Sequence, residues 1–206
     1  MSFLSRLFGS REAEGSRDLE AQLTRLEAEA GSARAGYQGT PYNKAGDVAL
    51  RAGDKNRAVA YYGRAIDAFL EDQQREAARG VANKIIRVHP GAVRTLCTLT
   101  WLDLAAQHKA TALLHLRDYV EAAREAGEND RAADQIFEMA RITPHLEFVD
   151  AVADALDSLG FDERASDVRG WAREGGAPDA LHDDEALTER CLASAVDSAR
   201  RGRSSR

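Results

Sequence analysis

Three short stretches decide the fold of this 206-residue chain: GDKNRA at 53–58, GENDRA at 127–132 and GFDERA at 160–165. Each begins with glycine, places a capping residue after it, and ends in Arg-Ala at the same offset. Glycine accepts the left-handed conformation that ends a helix, a polar residue caps the next helix, and alanine lets two helices approach closely. The three stretches therefore predict short turns between packed helices.

The composition favours helix throughout. Alanine occupies 38 positions and proline only 4, and alanine is the best helix former whereas proline breaks the hydrogen-bond ladder. Caps and turns predict eight helices, at about 41–52, 55–71, 74–88, 91–107, 109–126, 129–142, 145–159 and 161–174. Very short turns force consecutive helices to pack together. The predicted class is all-α, a stack of αα-hairpins.

The helices repeat with a period of about 54 residues. A shift of 54 positions pairs residues 54–107 with residues 108–161. The identical pairs include Lys55 with Lys109, Ala58 with Ala112, Ala78 with Ala132, Arg87 with Arg141 and Pro90 with Pro144. Apolar and polar classes also keep their places along the pairing. A duplicated three-helix unit is the interpretation that follows.

The first hairpin carries a recognisable pattern of large and small residues: Tyr42, Gly46, Gly53-Asp54, Ala58, Tyr62 and Ala65. The hairpin around Gly127 has a similar pattern. In these residues the chain resembles the tetratricopeptide repeat, over roughly residues 40–175. The resemblance implies an α-solenoid whose first helices line a concave groove for a protein or peptide. The packing alanines are spaced 20, 34, 20 and 33 residues apart, which implies that one long helix serves two successive pairs.

The chain divides into three parts. Residues 1–40 form an amphipathic segment and linker, with a two-turn helix that ends at Gly9 and a second short helix from about residue 18 to residue 30. Residues 41–175 form the repeat domain. Residues 176–206 hold an acidic loop, an amphipathic helix from Asp184 to Arg200 that caps the last repeat, and a basic tail.

Two surfaces are candidates for binding. The first is a stripe of four carboxylates at spacings of three, four and three, Glu147, Asp150, Asp154 and Asp157, opposite an apolar stripe. It is either a solvated face or a dock for a basic peptide. The resemblance places it in the groove, where the corresponding positions of the first hairpin are Asn43, Asp47, Leu50 and Arg51.

The second candidate is an apolar docking segment at the amino terminus, formed by Phe3, Leu4, Leu7 and Phe8. It has three interpretations: a disordered or self-packed end, a segment that docks on a partner, or a membrane contact. Two helical turns bury little area, so stable membrane anchoring needs a second signal. Membrane contact is expected only through this segment.

Catalytic chemistry is not indicated. The sequence lacks a phosphate-binding loop, a Gly-x-Ser-x-Gly elbow, an HExxH motif and paired CxxC motifs. We therefore expect no catalytic residue, cofactor or metal. His108 and His115 are interpreted as surface or packing residues, and Cys97 and Trp101 as core residues.

Charge and cysteine content narrow the possible partners and the cellular compartment. A net charge of -6 argues against nucleic acid as partner. Two widely separated cysteines, and no signal peptide or membrane span in the sequence, predict a cytoplasmic protein. The leading hypothesis is a non-catalytic scaffold or adaptor that binds a protein or peptide on the concave face. The alternative is a peripheral membrane or complex-assembly factor localised through its amino-terminal segment.

Overall fold

The computed structural model describes residues 3–34 and 36–201, with side chains described over 15–34 and 36–197. The all-α class is confirmed, since the described residues form helices and no strand. The helices are α1 Phe3–Ser32, α2 Gly39–Arg51, α3 Lys55–Glu71, α4 Arg75–Val88, α5 Val93–Ala105, α6 Lys109–Ala126, α7 Asn129–Ile142, α8 Leu146–Leu159, α9 Asp162–Glu174 and α10 Asp184–Arg201. The eight helices predicted between residues 41 and 174 are confirmed, with ends that agree to within two residues.

The turns that follow α2, α3, α5 and α6 share one backbone conformation. Gly53 and Gly127 end α2 and α6 at φ values of 83° and 71°, and Gln73 and Gln107 end α3 and α5 at 57° and 59°. The 54-residue shift pairs Gly53 with Gln107 and Gln73 with Gly127. In each of these two pairs, one left-handed residue is glycine and the other is glutamine. A side chain makes that conformation about 1–2 kcal/mol less favourable.

Alanine and capping residues behave differently at these turns. The alanine five residues after each left-handed residue is fully buried, at Ala58, Ala78, Ala112, Ala132 and Ala165. The capping prediction holds for Asp54, whose Oδ1 accepts a 2.9 Å hydrogen bond from the amide of Arg57. It is wrong for Glu128, whose side chain makes no capping hydrogen bond, and α9 follows Phe161, which has no polar group to cap it. At the start of these two helices, the glycine turn and the buried alanine are the parts of the predicted pattern that the structure contains.

The 54-residue repeat reappears in the helix bounds. The first copy begins at α2, one helix before residue 54, where the pairing of the sequence begins. Helices α2, α3 and α4 begin at residues 39, 55 and 75, and α5, α6 and α7 each begin 54 residues later. We call these the first and second copies, and α8 with α9 the third. The chain forms two compact units, Met1–Val88 and His89–Arg206. The boundary between the units coincides with the boundary between the first two copies.

The first unit contains α1 and the first copy, and α1 differs from the prediction. Gly9 does not end a helix, because an isolated glycine costs a helix only about 1 kcal/mol. The helix is continuous from Phe3 to Ser32, so the predicted linker is short. It packs against α2 and buries Leu23, Leu26 and Ala30. Helix α2 then packs on α3, and α3 on α4.

The second unit contains the second and third copies and α10. Helix α5 packs on α6 and α8 packs on α9. The apolar face predicted for α10 is confirmed, with Leu187, Cys191 and Ala195 fully buried. Its main contact is α5 and not the last pair that it was expected to cap. Helix α5 is consequently buried on every side from Thr95 to Ala105.

Candidate interaction face

In the first copy, three of the predicted groove residues lie beside a lysine that the sequence did not single out. Lys84 of α4 donates hydrogen bonds from Nζ to Asn43 Oδ1 at 2.9 Å and to Asp47 Oδ1 at 2.6 Å. Leu50 lies one turn further along α2 and is half-buried. We call Asn43, Asp47, Leu50 and Lys84 the first-copy face.

Tyr62 of α3 contacts two residues of this face, Asp47 and Lys84. Its hydroxyl donates to Asp47 Oδ1 at 2.7 Å, and Lys84 Nζ lies 5.3 Å from the centre of its ring. Partial burial acts to raise the pKa of Asp47, but hydrogen bonds from Lys84 and Tyr62 hold it below its usual value. Burial and the neighbouring carboxylate raise the pKa of Tyr62 far above its ordinary range. At neutral pH the carboxyl group of Asp47 is therefore ionised, and hydrogen bonds from Lys84 and Tyr62 hold it in place.

Arg51, the fourth predicted groove residue, lies one turn after Asp47 on α2. Its Nε donates to the backbone oxygen of Asp47 at 3.2 Å. It also lines a recess together with Gly15, Asp18 and Ala52. The grouping of the four predicted residues as a groove stays a prediction.

The second copy carries apolar residues at the corresponding positions. The residues 54 positions after Asn43, Asp47 and Leu50 are Cys97, Trp101 and Leu104, each at most 2% exposed. The core assignment of Cys97 and Trp101 is confirmed. Gln135 Oε1 of α7 accepts a 3.1 Å hydrogen bond from Trp101 Nε1, and Cys97 Sγ lies 3.6 Å from the same oxygen.

Helix α10 packs on α5 of the second copy. The residue that corresponds to Lys84 is Glu138, and Arg190 of α10 donates to its Oε1 at 3.0 Å. Hydrogen bonds from Arg141 and Arg190 outweigh the effect of burial and lower the pKa of Glu138. The hydroxyl of Thr188 donates to the backbone oxygen of Ala105 at 2.9 Å. The α10 side chains thus contact both α5 and α7.

The start of α10 is held by a second set of polar contacts. Gln107 donates from Nε2 to Asp184 Oδ1 at 3.0 Å, and its Oε1 lies 3.0 Å from His145 Nε2. The amide of Leu181 donates to the backbone oxygen of Ile142 at 2.9 Å. Burial raises the pKa of Cys191 to about 12, so this thiol is protonated and unreactive at neutral pH.

The acidic stripe of α8 is exposed, as predicted, but half of it is paired within the chain. The opposite stripe is buried, at Val149, Val152, Leu156 and Leu159. Arg169 of α9 donates from Nη2 to Asp154 Oδ1 at 3.1 Å and also bonds Asp157. Both carboxylates raise the pKa of Arg169. Glu147 and Asp150 lie outside this ion-pair cluster.

The docking segment Phe3, Leu4, Leu7 and Phe8 begins α1, and its side chains lie outside the described ones. Gly15, the first residue whose side-chain surroundings are described, shares a recess with Ala52, the residue that follows α2.

The two histidines singled out in the sequence both approach one buried carboxylate. His115 Nδ1 lies 2.6 Å from Asp103 Oδ2, and His108 Nδ1 lies 3.8 Å from Asp103 Oδ1. Across residues 15–34 and 36–197, no three His, Cys, Asp or Glu side chains are grouped so that they could hold a metal ion. In the same part of the chain, no helix is both long and apolar enough to cross a membrane.

No protein-family model matches this chain, and no curated protein matches it.

Proposed function

We propose that this protein is a non-catalytic scaffold or adaptor that binds a protein or peptide on the first-copy face. One observation carries the proposal: side chains from two helices hold each other in place there while they stay accessible. The side chains of Lys84 and Asp47 are 32% and 42% exposed, although each is hydrogen-bonded. Groups fixed before binding lose less conformational entropy when a partner arrives.

The chemistry of the face suits a protein surface. It combines a cation, an anion, an amide and the half-buried Leu50, and interfaces commonly join a few apolar anchors to hydrogen-bonding groups. The resemblance to tetratricopeptide repeats supports the same location, because α2 is the first helix of its hairpin. The proposal places the protein in the cytoplasm, and the two buried cysteine thiols fit a reducing compartment.

Affinity capture from native lysate tests the proposal with the tagged full chain. We expect a stoichiometric protein that the native chain retains and that Lys84→Ala or Leu50→Ser loses. The matched controls are Lys55→Ala and Leu114→Ser, which remove the same residue types from exposed positions elsewhere. Circular dichroism verifies that each variant is folded. A partner retained by all four variants moves the site away from this face, and capture of no partner contradicts a scaffold.

The acidic stripe is tested in the same assay. Replacing Asp150, Asp154 and Asp157 together by Asn removes three of its four charges. Reduced capture of the same partner assigns the stripe to a basic segment of that partner. Unchanged capture supports the solvated-face interpretation, in which Arg169 and water satisfy the carboxylates.

A second candidate function, a peripheral membrane or complex-assembly factor, is favoured by the continuity of α1. A helix of 12 residues spans about 18 Å, and this is the length of α1 from Phe3 to the residue before Gly15. Deleting residues 1–10 leaves Leu23 and Leu26 to hold α1 on α2. We expect the deletion to abolish co-sedimentation with phosphatidylcholine–phosphatidylglycerol vesicles and to leave the helical spectrum intact. Equal sedimentation with and without these residues contradicts membrane contact through this segment.

A further inference from the structure

We infer that the partner contributes an α-helix to the first-copy face, seated as α10 sits on the second copy, with an acidic side chain opposite Lys84. The inference rests on the proposed function, and it adds the secondary structure and charge of the ligand.

The first step is the equivalence of the two faces. Helices α2 and α4 of the first copy correspond to α5 and α7 of the second at a constant shift of 54 residues. In both copies a side chain of the third helix takes part in polar contacts on this face. Lys84 bonds Asn43 and Asp47 within the first copy, and Glu138 bonds Arg190 of α10. The two faces are therefore one surface built twice.

The second step is the difference in coverage. In the second copy α10 packs on α5 and bonds Glu138, and Trp101 and Leu104 of α5 are no more than 1% exposed. At the first-copy face the corresponding Asp47 and Leu50 are only half-buried. On the second copy, the element that packs on this surface is an amphipathic helix. We expect the same kind of element to bind the first copy.

The contacts of α10 also define how the helix lies. Thr188 bonds the last residue of α5, and the amide of Leu181 bonds Ile142, the last residue of α7. Further along, Arg190 reaches Glu138, one turn before the end of α7. Helix α10 therefore begins beside the carboxyl ends of α5 and α7 and runs back along them. The same path on the first copy passes Leu50 and Lys84.

The third step is charge. Where α10 places Arg190 on Glu138, a helix on the first copy meets Lys84, which has the opposite sign. An ammonium group has three hydrogens, and those of Lys84 that are accounted for go to Asn43 and Asp47. A carboxylate of the ligand accepts a further, charge-assisted hydrogen bond from Lys84. An α10 from a second copy of this chain brings Arg190 to Lys84 and is repelled, so the occupant is a different protein.

A peptide library tests this inference. The probe is a display library on the α10 sequence 184–197, randomised at positions 187, 190, 191, 194 and 195 and selected on the full-length protein. We expect selected peptides to carry Asp or Glu at position 190. By fluorescence anisotropy their Kd is expected to rise at least about ten-fold on Lys84→Glu and to stay within about two-fold on Lys84→Arg. Lys55→Glu is the control with the same charge change elsewhere in the first unit.

The outcomes separate the inference from the proposed function. Selected peptides with Arg or Lys at position 190, or with equal affinity for the native and Lys84→Glu chains, overturn the inference. Selected peptides that need Lys84 but show no helical signal when bound overturn the helix and leave the proposed function intact. If no selected peptide responds to Lys84 or Leu50 variants and the lysate partner does not either, both are contradicted.

Discussion

Replacing Gly46 by alanine tests whether the first-copy face depends on the close packing of α2 on α3. A Cβ atom at this position would lie 2.4 Å from Cδ1 and Cε1 of the Tyr62 ring, more than 1 Å inside the normal carbon–carbon separation of about 3.5–4.0 Å. Tyr62 is fully buried, and its hydroxyl is bonded to Asp47 at 2.7 Å. The ring has little room to retreat, and moving it breaks the contact that supports Asp47 and Lys84.

Two opposing effects set the magnitude. Alanine stabilises a helix by about 1 kcal/mol relative to glycine. Overpacking a buried contact costs about 1–3 kcal/mol, and losing a hydrogen bond to a charged group costs about 1.5–3 kcal/mol. The free energy of unfolding is therefore expected to fall by about 1.5–5 kcal/mol for Gly46→Ala. At Gly80 of α4 a Cβ atom meets nothing within 4 Å, so Gly80→Ala should gain about 1 kcal/mol.

Urea denaturation followed by far-ultraviolet circular dichroism measures both variants. The expected result is a change of opposite sign for the same substitution in neighbouring helices of one unit. If Gly46→Ala is as stable as Gly80→Ala, the ring and the added methyl group coexist and the reasoning is refuted. If Gly46→Ala loses stability as expected, it should also weaken any ligand whose binding depends on Lys84.

Three further predictions address the turns, the helix contacts and pH. Gln73→Gly should gain up to about 1 kcal/mol because Gln73 has a φ of 57°, and Gly127→Gln should lose about 1 kcal/mol; equal urea midpoints would contradict a strained turn. Ala132→Leu should lose about 1–3 kcal/mol by overpacking, and an unchanged melting temperature would remove Ala132 from the helix contact. Burial lowers the pKa of His145 below 6.5, so the unfolded state binds the proton first and stability rises with pH just below 6.5. His145→Gln should flatten that slope in denaturation curves at pH 5–7, whereas the exposed control His182→Gln should keep it.

The helix ends between residues 41 and 174 could be predicted because local signals set them. Glycine turns mark the ends of α2, α6 and α8, and Pro90 and Pro144 mark the connections between copies. The turns at Gln73 and Gln107 carry no such signal themselves. The 54-residue shift aligns them with Gly127 and Gly53, so the repeat contains the information that the single residue lacks.

The contacts of the faces could not be predicted, because they join distant residues. Lys84 lies 37 residues from Asp47, and Thr188 lies 83 residues from its partner Ala105. A sequence pattern gives the exposed side of a helix but not the helix that covers it. For this reason the amphipathic pattern of α10 was predicted correctly and its position was not. The ion pairs of Arg169 with the acidic stripe could not be predicted for the same reason, because they join two different helices.

The difference in polarity between the two faces follows from when each is covered. Helix α10 belongs to the chain and packs on α5 of the second copy, where Trp101 and Leu104 are shielded from water. Under the proposed function the first-copy face stays open until a partner binds, and an exposed apolar stripe of the same extent would favour aggregation. Asn43 and Asp47 therefore stand where the second copy has apolar residues. A ligand on this face depends on hydrogen bonds and charge more than on burial, so its affinity should fall as salt concentration rises, while α10 stays in place.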